Sequence, residues 1–65
     1  MEWTPDRVKG LRKHLGLTQE QFAEKLGYQR RGTISDFEGG RHEPNPQAQI
    51  ILTMLADQSD FQDEQ

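Results

Sequence analysis

The sequence predicts an all-α fold, a compact bundle of short helices, on three observations. Helix-start signals recur at Thr4-Pro5, at Thr18 with Gln21, and at Asn45-Pro46. Glycines stand where the helices between them would stop, at 16, 27 and 39–40. Between these marks the apolar residues keep the three- and four-residue spacing of a single helix face. At 65 residues the chain makes one small domain, which buries only about 60% of its unfolded surface. It has no cysteine, so helix packing has to supply the stability that disulfides or a thiolate metal site supply elsewhere.

The first helix has Thr4 as its N-cap, Pro5 in the first helical position and Asp6 against the positive end of the dipole. Trp3 and Val8 occupy the two positions of a hydrophobic staple. Val8, Leu11 and Leu15 form one apolar stripe, with Lys13 and His14 in the last turn before Gly16. The second helix starts at a capping box, Thr18 with Gln21, and Leu17 and Phe22 form a second staple. Phe22, Ala23 and Leu26 are its buried stripe, and Ala23 is small where a crossing helix would come close. Gly27 ends it.

Residues 28–31 read as the turn, and a third helix runs to about Glu38, burying Ile34 and Phe37. Gln29, Arg30 and Arg31 are not cap residues, and Gly32 lowers helix propensity. Two readings of this start stay open: its orphan N–H groups and two arginines meet a phosphate, or the turn is frayed and solvated. Gly39-Gly40 breaks the helix and a loop follows from Arg41. Asn45 caps a fourth helix, whose expected buried side is Ile51, Leu52, Met54 and Leu55, with Ile50 partly exposed. The apolar pattern stops at Ala56. Residues 57–65 read as an acidic, flexible tail with Phe61 as its one large apolar residue, and 62–65 as disordered.

The net charge of −3 is unevenly spread. Residues 1–56 hold eight basic and seven acidic side chains, a net of +1, while the remaining four acidic residues all lie in 57–65. A locally basic face is compatible with an acidic tail, because a phosphate responds to the local field. No apolar run approaches a membrane span and no signal-peptide pattern is present, so a soluble, cytoplasmic protein is expected. His14 and His42 are too few and too separated for a catalytic set, and no paired carboxylates, phosphate cradle or metal-ligand spacing occurs. The expectation is a protein that is not an enzyme and has neither cofactor nor metal.

Arg12, the run GLTQEQFAEKLG at 16–27, TIS at 33–35, and Glu38, Gly40, Arg41 and Pro44 are individually common residues. Together and in this order the chain resembles the Cro/C1-type (XRE-like) helix-turn-helix domains of phage repressors and small bacterial regulators. The resemblance covers roughly residues 4–56. It implies a lambda-repressor-like bundle of four to five short helices, double-stranded DNA as partner, and the third helix as the one that reads it. Arg31, Gly32, Thr33 and Asp36 match base-facing positions, with Ser35 beside them. Arg31 suits a bidentate bond to guanine, and Asp36 suits acceptance from cytosine or is an ordinary exposed helix residue. Gln19, Gln29, Arg30 and Arg41 are phosphate candidates. Arg12 and Glu38 match an ion pair that sets the angle of the reading helix.

Three features depart from the family pattern. The turn is one residue longer than the commonest form. The helix that usually follows the fourth, and often supports dimerisation, is short or absent. Asp36 stands where a neutral or basic residue is usual. The function implied is a transcriptional regulator, a repressor acting as a homodimer on a pseudo-palindromic operator. The alternative is an antitoxin-like interaction module whose acidic tail takes a protein partner and which also binds its own promoter.

Overall fold

The computed structural model describes residues 3–62. They form four helices: α1 (Pro5–His14), α2 (Gln19–Lys25), α3 (Arg31–Gly39) and α4 (Pro46–Gln58). Each start with a cap residue is capped by it. The Thr4 hydroxyl accepts from the Arg7 N–H at 3.2 Å, and Asn45 Oδ1 accepts from the Ala48 N–H at 2.8 Å. At α2 both halves of the capping box close: Thr18 Oγ1 accepts from the Gln21 N–H at 3.1 Å, and Gln21 Oε1 accepts from the Thr18 N–H at 3.0 Å. Gly16 and Gly27 take φ of +72° and +87°, the left-handed conformation that lets the chain leave a helix sharply.

α3 packs against both α2 and α1. Val8, Leu11, Phe22, Ile34 and Leu52 are fully enclosed, and Trp3, Ala23, Leu26, Phe37, Ala48 and Ala56 are buried with them. Burying side chains of this kind contributes about 1.5–3 kcal/mol each. Tyr28 fills the turn by setting its ring edge-on to Phe37, with centroids 5.8 Å apart. Trp3 ties the bundle across its ends, its indole N–H donating to Thr53 Oγ1 at 3.1 Å. The Arg7 guanidinium lies 4.3 Å from the same ring.

The structure corrects three expectations. Arg31, assigned above to the turn, is the first residue of α3, and Arg30 is its N-cap, with extended backbone and no side-chain cap bond. Met54, expected on the buried side of α4, is 52% exposed, beside Ile50, which is expected to be partly exposed and is 62% exposed. Leu52 of that expected side is fully buried and Ile51 and Leu55 pack against the core, while Ala48 and Ala56, one turn to either side of Leu52, are buried as well. The boundary expected after residue 56 falls inside α4. Beyond it Asp60 turns the chain with φ 58°, the Phe61 N–H bonds the Ala56 carbonyl at 2.9 Å, and the Phe61 ring packs on His14 and beside Gly10. His14 Nε2 also meets the Ser59 carbonyl oxygen at 2.8 Å. Residues 63–65, at the end of the stretch read as disordered, lie outside the described residues.

Candidate nucleic-acid interface

α2, the turn and α3 form a hairpin whose angle is fixed from α1. Arg12 donates through Nε to Glu38 Oε2 at 2.6 Å and through Nη2 to Glu38 Oε1 at 3.3 Å. Its Nη1 donates to the Leu17 carbonyl at 3.0 Å, so one guanidinium holds the α1–α2 connection and the last turn of α3. Gln19, at the start of α2, donates from Nε2 to Glu38 Oε1 at 3.2 Å. Glu38 therefore accepts from two elements while its side chain is only 7% exposed. Such a pair defines a geometry because each lost bond would leave a charge in a dry setting.

Opposite Ile34 and Phe37, the 3.6-residue turn directs Gly32, Ser35, Asp36 and Gly39 outward. Every member of this face is short. A β-carbon built on Gly32 would meet no atom within 4 Å, so nothing in the domain's own packing asks for glycine there. Exposed Arg31 and half-buried Thr33 flank the face, and exposed Gln29 and Arg30 stand just before it in the turn.

At the other end of α3, Gly40 closes the helix with φ 78°, and the backbone N–H groups of Arg41 and His42 reach back to the Asp36 carbonyl at 2.9 and 3.3 Å. The Arg41 side chain folds back as well. Its Nε donates to Asp36 Oδ1 at 2.8 Å, and its Nη2 donates to Ser35 Oγ at 3.2 Å and to the Ser35 carbonyl at 3.3 Å. His42 Nε2 stands 4.0 Å from the other Asp36 oxygen. Arg41 and Asp36, placed by the sequence in separate groups, thus form one cluster with Ser35. Gly39, whose sequence position marks a helix stop with backbone N–H groups that could face a phosphate, belongs to it too. A five-residue step across a left-handed turn has no helical periodicity to reveal it. Among the described residues, no three His, Cys, Asp or Glu side chains gather as a metal site would require, and no helix is long and apolar enough to cross a membrane.

This arrangement coincides with a family model described as helix-turn-helix, which matches residues 8–48. The chain belongs to the Cro/C1-type helix-turn-helix family. No curated protein and no solved structure matches it. The matched span of this helix-turn-helix protein runs from Val8 in α1 to Ala48 in α4, and it includes Arg12, the whole hairpin, Glu38 and Arg41. The helix-turn-helix domain is that of a DNA-binding transcription regulator, with α2 and α3 as its two motif helices. Most of α4 and the segment folded onto α1 lie outside the match.

Proposed function

We propose that the protein is a repressor that binds a pseudo-palindromic operator as a homodimer, with α3 in the major groove. The observation that carries this reading is the outward face of α3. Glycine, serine and aspartate line it and arginines stand at its ends, a shape that admits close approach to base edges between two phosphate backbones. Arg31, Thr33 and Ser35 supply the donors and the methyl group that read bases there, and Gly32 lets the backbone come near. Gln19, Gln29, Arg30 and Arg41 sit at the edges, where the sugar-phosphate chains pass. Repression follows from occlusion of the promoter.

The homodimer draws support from α4. Residues 44–56 include no charged side chain, and Ile50 and Met54 are exposed side by side one helical turn apart. A second copy is the occupant that suits this face, since a chain of net charge −3 repels its own copy least where it is neutral. Two domains joined in this way would read half-sites about one helical turn, roughly 34–36 Å, apart. The antitoxin-like alternative loses ground because Phe61, the one large apolar group available to a partner in that segment, is already packed on α1.

In vitro selection of bound duplexes from a random pool tests the proposal. A two-fold-symmetric enriched site is the expected result. An asymmetric site would remove the homodimer, and no enrichment at all would remove sequence-specific reading.

A further inference from the structure

An aspartate on a DNA-facing helix repels phosphate, and an arginine after two glycines would ordinarily sweep through solvent. In this chain the two are joined. We propose that Asp36 is a positioning residue for Arg41, seating its guanidinium across the last turn of α3 so that its remaining edge takes a DNA phosphate oxygen. This rests on the DNA-reading assignment above and gives Asp36 a role other than reading a base.

Three observations converge on the seat. Arg41 is tied to Asp36 at both ends, by its backbone N–H to the Asp36 carbonyl at 2.9 Å and by its Nε to Oδ1 at 2.8 Å. Ser35 accepts from Nη2 on both its hydroxyl and its carbonyl. The guanidinium then lies over Gly39, where a β-carbon would stand 3.0 Å from Nη1 and 3.2 Å from Cζ, tighter than most side-chain carbons pack, so the arginine would have to give way. Gly39 lies within α3, where alanine would serve the helix better. What the glycine provides is room for the arginine.

The donor count sets the ligand class. Of the three nitrogens of the guanidinium, Nε and Nη2 donate to Asp36 and Ser35, which leaves Nη1. A bidentate grip on guanine needs two adjacent nitrogens. A single nitrogen carrying two hydrogens suits a phosphate oxygen. Asp36 spends one oxygen on Arg41, so its charge is partly answered before DNA arrives. Part of the rotamer freedom that an arginine otherwise gives up on binding is given up on folding.

The test is a double-mutant cycle on a duplex enriched from the random pool, read as dissociation constants at fixed salt. Asp36→Asn keeps the shape and removes a negative charge from the DNA face, which on repulsion alone tightens binding. The seat predicts the opposite, a loss of about three- to tenfold, in the range by which contacting residues couple. In an Arg41→Ala background the same substitution is expected to tighten binding, reversing the sign. Gly39→Ala is expected to weaken binding in the same sense while its thermal midpoint stays at or above that of the wild type. Tighter or unchanged binding by Asp36→Asn, or the same effect in both backgrounds, overturns the proposal alone. Failure of the wild-type chain to enrich any duplex overturns the DNA-reading assignment and this proposal with it.

Discussion

α3 carries two arginine–carboxylate pairs that differ in their access to water far more than in their distances. Arg12 and Glu38 meet at 2.6 Å with side chains 14% and 7% exposed. Arg41 and Asp36 meet at 2.8 Å with side chains 60% and 36% exposed. The first pair is enclosed and also bound by Gln19 and the Leu17 carbonyl, so removing either partner would leave the other's charge uncompensated in a dry place. The second is rinsed by solvent, where attraction between charges is largely offset by hydration. Similar bonds on one helix therefore do different work. The buried pair decides how the helix is held, and the exposed pair decides what the helix holds out.

Stability measurements separate the two pairs most sharply. Glu38→Ala strands the Arg12 guanidinium and should cost about 3–5 kcal/mol in a denaturant or thermal melt. For a domain of this size that is most of the stability available. A drop below about 1 kcal/mol would place this pair with the surface pairs and erase the contrast. Arg31→Ala comes next in expected size, acting on binding. Operator affinity should fall by about 1–3 kcal/mol with relaxed preference at one base pair. Uniform weakening on all duplexes would make Arg31 a phosphate contact instead. Arg41→Ala is expected to change stability least, by about 0–1 kcal/mol. Its effect should show in the salt dependence of DNA binding, with the slope shallower by about one unit. A large loss of stability from Arg41→Ala would make the exposed pair structural as well.

Much of the fold was legible because helix ends are local chemistry. Thr4, Thr18 with Gln21, and Asn45 each find their partner three residues on, a distance the sequence states directly. Gly16, Gly27 and Gly40 stand at left-handed positions for a similarly local reason. The rest depends on which side of an element the core selects. α4 is apolar over much of its circumference, so spacing alone cannot choose between Met54 and Ala56. The structure buries Ala48 and Ala56 beside Leu52 and leaves Met54 exposed. Arg31 joined α3 although it offers no cap, since packing of Ile34 and Phe37 holds the helix from its middle. Of the outward residues of α3, the resemblance named Gly32, Ser35 and Asp36 but not Gly39. The Arg41–Asp36–Ser35 seat was not legible, because it forms only after Gly40 turns the chain back.

Trp3 is the chain's single tryptophan, and its indole N–H is held by Thr53, fifty residues away. The ring is almost sealed from water and lies between the start of α1 and the middle of α4. Its fluorescence is consequently a built-in gauge of whether the first and last helices are together. Fraying of one helix end elsewhere would leave that signal in place, while separation of α1 from α4 would expose the ring. A spectroscopist following the emission would be observing closure of the bundle itself, and could compare it with helix content recorded by circular dichroism. Coincidence of the two curves would mark the domain as a single cooperative unit.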